Sequence, residues 1–422
     1  MDEPIMKKIS YLLFLNLILF TSIQSHAEVY KWINPNGTTV YSTRLPLNKS
    51  LKVEVVKAPS VSVAISSTLV QAPVVAAPTP TPTPTPTPVP TPTPSTSLPA
   101  APSHYYMPDI NVAKIPTGEP GSDQLRLTQT NHHPNPSGGA GEFRMNCGFS
   151  HMNFDDPIVY PGKKGAAHLH TFFGNSDTTY LSTANSLAIS GNSTCQGGVA
   201  NRSAYWVPAM IDTATNTPLK PAGLAVYYKG NDPRTYSFIK SPPAGLKMIA
   251  GNMLTTTTKT NYSAHYYCDP QNDANTDQSG ISAQSSCKDH TWPDGWVSKA
   301  SVVMVVVFPQ CWDGVNLDSA DHKSHMAFAG GFTTANGCPT THPVLIPSIT
   351  YNVRYYVPAG SDTTKWRLSS DMYPNTSPGG YSGHGDWFNG WKPEVMDLIV
   401  KKCLVSRMDC GSNSLPDGRD MW

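Results

Sequence analysis

Histidines recur in short polar motifs through the C-terminal part of the chain. They read H-L-H-T-F-F-G (His168 to Gly174), D-H-K-S-H-M (Asp321 to Met326), C-P-T-T-H-P (Cys338 to Pro343) and H-G-D-W-F-N-G-W (His384 to Trp391). A related segment, F-P-Q-C-W-D-G, spans Phe308 to Gly314. A packed interior favours Leu, Ile, Val and Phe. Histidine beside carboxylate, tryptophan and glycine suits a polar cleft where protons are exchanged near neutral pH. The expectation is one cleft whose catalytic groups are His168, His170, Asp321, His322, His325, His342, His384 and Asp386.

His168 and His170 stand at i and i+2, which on a strand puts both side chains on one side. That spacing suits two ligands to one metal, or an acid/base pair. Gly162 precedes His168 by six residues, as in the cupin G-x5-H-x-H start. Gly174 and Asn175 occupy the places where that pattern wants Glu. No cofactor is therefore expected, a divalent metal at His168/His170 being the alternative. Asp321, His322 and His325 follow an apolar strand, and a carboxylate beside a histidine can fix its tautomer. Asp313, Asp318 and Asp321 lack the ligand spacing of an EF-hand.

Gly385 allows a tight turn at His384. Trp312, Asp313, Trp387 and Trp391 are the expected substrate-binding residues, because indole rings stack on sugar C–H faces. Glycoside hydrolysis needs two carboxyl groups at a set separation. Asp313, Asp371 and Asp386 are candidates for them. A lyase would use His or Tyr as base. No G-x-S-x-G elbow supports a serine nucleophile.

The elements that must position these groups are mostly strands. Ala204 to Ile211, Leu224 to Tyr228, Ser301 to Phe308 and Thr350 to Val357 read as strands separated by Pro, Gly and Asn clusters. One helix is expected at Pro393 to Cys403, with Pro at its start and Val395, Leu398, Ile399 and Lys402 on one side. The large domain, residues 105–422, is thus expected to be mainly β, a β-sandwich or jelly-roll-like fold with few helices.

Ahead of it, residues 1–27 read as a signal peptide. Lys7 and Lys8 precede an apolar run to Phe20, and Ser25-His26-Ala27 offers small residues for cleavage. Residues 28–57 form a small β-hairpin module, with strands around the Asn34-Pro35-Asn36-Gly37 turn. Residues 58–104 are a Pro/Thr-rich linker whose Thr-Pro repeat, Pro78 to Pro94, favours extended polyproline II. All eight cysteines lie between Cys147 and Cys410 and none forms a C-x-x-C pair. Their even number in an exported chain implies disulfides, most simply Cys147–Cys195, Cys268–Cys287, Cys311–Cys338 and Cys403–Cys410. The protein is expected to be secreted or periplasmic, with no membrane span after signal removal. Lys plus Arg is 30 against 29 Asp plus Glu, with no basic run, so nucleic acid is not the expected partner.

Two family resemblances follow from these motifs. The large domain resembles the domain-of-unknown-function 1996 family over roughly residues 131–403. The matching segments are D-P-I-V-Y-P-G (Asp156 to Gly162), H-L-H-T-F-F-G, Y-W-V-P (Tyr205 to Pro208), P-A-G-L-K-M-I-A-G (Pro243 to Gly251), the run from Phe308 to Met326, C-P-T-T-H-P-V-L-I-P and H-G-D-W-F-N-G-W. Fungal members are often joined to wall-glycan-binding modules, so the resemblance implies a polysaccharide partner. Residues 28–46 resemble the domain-of-unknown-function 4124 module, with Asn34 and Thr43-Arg44 departing from its aspartates; it implies an envelope or secreted setting. The expected function is cleavage of a polysaccharide or cell-envelope glycan by His/Asp acid–base groups in an aromatic-lined cleft. The alternatives are a non-catalytic glycan- or envelope-binding protein, and a metal-dependent enzyme on a non-glycan substrate.

Overall fold

The computed structural model describes residues 29–33, 39–42, 52–56 and 108–422, the last without 231, 233, 258–260, 262, 271–279, 282–286, 331–333 and 412–413. The signal and the Thr-Pro tract lie outside the described residues. The chain divides into two units, Met1–Ser95 and Thr96–Trp422.

In the first unit β1 (Val29–Ile33) pairs antiparallel with β2 (Thr39–Ser42), as the turn signal predicts. A further strand, β3 (Val53–Val56), pairs with the other edge of β1. The third strand matters because a lone two-stranded hairpin is marginal in water.

The second unit is mainly β and contains two α-helices among the described residues. In chain order the strands that build it are β4 (Glu142–Cys147), β5 (Phe149–Asn153), β6 (His170–Gly174), β7 (Ala204–Pro208), β8 (Gly223–Lys229), β9 (Lys247–Gly251), β10 (Ala264–Asp269), β11 (Ser301–Val307), β12 (Ser348–Tyr356), β13 (His384–Phe388) and β14 (Met408–Cys410). A seven-stranded sheet runs β10-β11-β12-β8-β4-β14 and ends on Asn135–Pro136. A five-stranded sheet runs β9-β13-β7-β6-β5. The two sheets pack face to face as a β-sandwich.

Alternation decides which side chains meet between the sheets. From the large sheet come Phe143, Met145, Leu224, Val226, Tyr228, Met304, Val306, Tyr351 and Val353, all buried. From the small sheet come Phe173, Tyr205, Val207, Met248 and Trp387. Several of the aromatic rings carry polar tips that are paired inside the core. Tyr205 and Tyr228 share a 2.9 Å hydroxyl contact, Trp391 Nε1 donates to Tyr228 at 2.9 Å, and Tyr351 donates to the Asp386 carbonyl at 2.8 Å. Unpaired, each such group would cost about 1–3 kcal/mol.

Four disulfides close among the described residues, in the nearest-neighbour pairing expected from the sequence: Cys147–Cys195, Cys268–Cys287, Cys311–Cys338 and Cys403–Cys410. The expected C-terminal helix is α2 (Pro393–Ile399), with Val395, Met396 and Ile399 buried, and it continues as one wider turn, Val400–Leu404. The shorter α1 (Ala184–Ile189) starts from a Thr183–Ser186 capping box, a signal too short for periodicity to reveal. No helix among the described residues is long and apolar enough to cross a membrane.

Candidate metal centre

His170 is the first residue of β6 and His384 the first of β13, with β7 between the two strands. His170 pairs with Pro208, and Asp386 pairs with Trp206. Continuing the second register sets His384 level with Pro208 as well. The two histidines thus stand in one row on the outer side of the small sheet, flanking a single residue. His168, two positions before His170, is carried to the same side. Its ring centre lies 4.2 Å from that of His170 and 5.0 Å from that of His384. Beside them, on the same side of the sheet, Phe172, Trp206 and Phe388 join Ile158, Leu187 and Ala204 in a small apolar cluster.

Backbone carbonyls fix the ring orientations. His170 Nδ1 donates to the Asp155 carbonyl at 2.9 Å and His384 Nδ1 donates to the Ser382 carbonyl at 2.8 Å. A carbonyl only accepts, so each ring carries its proton on Nδ1 and leaves Nε2 as a lone pair. Nε2 of both His168 and His170 is buried without a hydrogen bond. Burial lowers the pKa of all three rings, and mutual repulsion lowers His168 and His384 further, the latter to about 3. The rings are neutral at physiological pH.

One ligand atom from each histidine lies within 4.8 Å of the others, so the group could hold a metal ion. Nitrogens sharing a tetrahedral cation at ~2.0–2.1 Å stand ~3.4 Å apart, so the set would close by about 1 Å on binding. His168 is partly exposed and precedes the strand. Neutral imidazoles oriented by a hydrogen bond on the far nitrogen are the usual protein environment of a metal ligand.

The surrounding loops are pinned by carboxylates. Asp155 accepts from Gly165 N at 2.9 Å, and Asp156 accepts from Ile158 N at 2.8 Å and Val159 N at 2.9 Å. These bonds hold the loop whose carbonyl orients His170. Asp371 accepts from Leu368 N at 2.8 Å, Gly380 N at 2.7 Å and Ser382 Oγ at 2.6 Å, and so holds the carbonyl that orients His384. Gly251 faces His384 across β9 and β13 at φ 85°, where a Cβ would meet Gly383 O at 2.4 Å. Only glycine allows the strands this approach.

Asp386 lies two residues along β13 from His384, on the same side of the sheet. It is 1 % exposed and its Oδ2 has no hydrogen-bond partner. Burial, with Asp156 nearby, pushes its carboxyl well above the ordinary carboxylate range, while Lys323 acts in the opposite sense. Lys323 itself donates to the Gly251 carbonyl at 2.8 Å, at the rim of the site.

The other expected site residues are placed elsewhere. Asp321 accepts from Ser319 Oγ at 2.8 Å and from Ser324 N at 2.9 Å, bonds that hold its carboxyl well below the usual range. His322 contacts Asp318 at 2.8 Å, His325 bridges Ser319 and the Lys247 carbonyl at 2.9 and 2.7 Å, and His342 meets the Ser324 carbonyl at 2.9 Å. These residues brace one loop against the edge strand β9. His325 meets β9 at Lys247 and His384 pairs with Gly251, four residues or about 13 Å along the strand.

Asp313 caps its own turn through Val315 N and Asn316 N, and Trp312 donates into the same turn. Trp387 and Trp391 lie in the sandwich core, at 0 % and 3 % exposure, where they pack against Tyr228. Lys323 and the orienting carbonyls of Asp155 and Ser382 carry no motif of their own in the sequence. The D-P-I-V-Y-P-G motif, beginning at Asp156, was the available pointer to the first loop.

Fold and site together define a disulfide-bonded β-sandwich with a three-histidine group on the outer side of its smaller sheet. The chain belongs to the family described as Domain of unknown function (DUF1996), whose model matches residues 156–391. The match takes in all three histidines and does not extend to the N-terminal module. The chain matches no curated protein and no solved structure.

Proposed function

We propose that this chain is an exported enzyme that holds one divalent transition metal on His168, His170 and His384 and cleaves a polysaccharide. The carrying observation is the convergence of three neutral imidazoles whose Nδ1 protons are committed to backbone carbonyls, or whose Nε2 is buried without a partner. Lone pairs facing one another at this range repel, and a cation removes the repulsion. Three protein ligands leave a coordination position open, the pattern of catalytic rather than structural sites.

The bound metal would supply Lewis-acid chemistry at that position. Asp386, two residues along β13 on the same side, is placed to pass a proton to or from the reacting oxygen. Lys323 at the rim is placed to meet negative charge. Export is supported by the basic and apolar start of the chain and by four disulfides. A polysaccharide substrate is supported by the family's association with glycan-binding modules and by the low charged fraction of 14 %.

The test is incubation of the protein with a panel of polysaccharides before and after chelation, with products read by mass spectrometry. Shortened chains are expected, lost on chelation and restored by metal. The His170→Ala variant should lose at least roughly 10²-fold in rate. Cleavage that survives both chelation and that variant overturns the metal reading. Reproducible glycan binding without turnover replaces cleavage with binding.

A further inference from the structure

The outer face of the large sheet carries a second candidate site. Here β8 is the middle strand, and its outward residues at the centre are small: Gly223 and Ala225. Taller residues stand on either side. Ala225 pairs with Asn146 on β4 and with Asn352 on β12, while Gly223 pairs with Arg354 and Tyr227 with Arg144. The result is a trough in a flat sheet. The segment tied down by Cys147–Cys195 walls it on one side, with the C-terminal Trp422 close by, and its volume is about 820 Å³.

The lining is cationic and aromatic. Arg126, Arg144 and Arg354 contribute three positive charges against Glu119, and Arg354 is paired with Asp269 at one end. Arg126 and Arg144 have no carboxylate partner among the described residues. Arg126 lies 4.7 Å over the Trp422 ring with its Nε buried and without a hydrogen bond. Arg144 lies over Tyr227 at 5.8 Å. Tyr227, Tyr267 and Tyr356 are the further rings in the lining.

We infer that this trough binds an acidic oligosaccharide. Flat rings suit the C–H faces of pyranoses, amides of Asn146, Gln196 and Asn352 suit hydroxyls, and spaced guanidinium groups suit carboxylates or sulfates carried along a chain. The inference rests on the polysaccharide part of the preceding reading only for the kind of polymer, and on the metal centre not at all. It names the feature that would select the polymer, a periodic negative charge.

The experiment titrates the full chain, by calorimetry, with oligogalacturonate, a heparin oligosaccharide, cellohexaose and a single-stranded oligonucleotide. Binding of one or both acidic saccharides is expected, with cellohexaose far weaker, and with affinity falling as salt is added. The stronger acidic ligand identifies carboxylate or sulfate as the preferred group. Arg126→Ala and Arg144→Ala should each weaken binding by about tenfold. Ala225→Leu, which fills the trough without changing charge, should weaken it comparably with the melting temperature retained. His170→Ala should bind as wild type, so that loss of turnover and loss of trough binding are separable. Absence of acidic-saccharide binding overturns the inference. So does equal binding of the oligonucleotide, or affinity unchanged in both Arg144→Ala and Ala225→Leu.

Discussion

At the residue scale, the histidines of this chain divide by what their ring nitrogens do. His325 and His342 spend theirs on neighbouring carbonyls and hydroxyls and act as braces. His170 and His384 spend one each and hold the other toward a common centre. His151 also spends both, on the Ser150 hydroxyl at 2.9 Å and the Thr178 carbonyl at 3.0 Å; it is stacked on Phe172 at 4.7 Å, with burial lowering its pKa below the ordinary 6.5. The unfolded chain then takes up this proton more readily than the native one. Stability contributed by neutral His151 is complete above pH 6.5 and is lost as pH falls from there toward the depressed native value. Urea denaturation at pH 7.5 and 5.5 should show lower stability at the acid pH, and His151→Gln should narrow the difference. An unchanged difference would mean that His151 does not contribute.

The i, i+2 spacing of His168 and His170 was legible because strand alternation is local. The join with His384 was not, since it depends on β7 lying between β6 and β13. The orienting partners were illegible for a different reason: they are backbone carbonyls, and any residue type can supply one.

At the element scale, the strands announced themselves wherever an apolar run was bounded by turn residues, as in Ser301–Val307 and Ser348–Tyr356. What sequence left open was register and the face each side chain takes. Trp387 and Trp391 illustrate the point. Glycine, aspartate and tryptophan together resemble the lining of a sugar site. On β13, however, alternation sends Trp387 into the sandwich while His384 and Asp386 go outward.

The segment 368–382 shows how a loop is made rigid enough to serve a site. Asp371 is fully buried and accepts from three backbone amides and a serine hydroxyl. Asp371→Ala should cost about 2–4 kcal/mol, because three backbone amides and the Ser382 hydroxyl lose this acceptor. It should also weaken metal binding, since the Ser382 carbonyl that orients His384 is no longer held. Denaturant melts and metal titration check the two effects separately. A destabilised variant with undiminished metal affinity would show that the loop supports the fold and not the ring.

At the scale of the whole molecule, the disulfides were the most predictable long-range feature, because the eight cysteines paired with their nearest neighbours in sequence. Cys147–Cys195 spans 48 residues and ties β4 to the wall of the outer trough. Replacing both cysteines with alanine should lower stability by about 4 kcal/mol on the chain-entropy account. It should also loosen acidic-saccharide binding while leaving the histidine centre in place. The second unit contains its own core, its four disulfides and both candidate sites. Residues 105–422 expressed alone should therefore melt cooperatively within a few degrees of the full chain. Insolubility or a broad transition would show that the N-terminal unit is needed.

The proposed function stands or falls with the metal centre of His168, His170 and His384. Its most direct test is the metal stoichiometry of the full-length protein after chelation and reloading with a divalent transition metal, measured by elemental analysis alongside calorimetric titration. One tightly held ion per chain is expected in the wild type and none in His170→Ala or His384→Ala, with melting temperature raised by metal only in the wild type. Failure of the wild type to retain an ion, or equal retention by both variants, would contradict it.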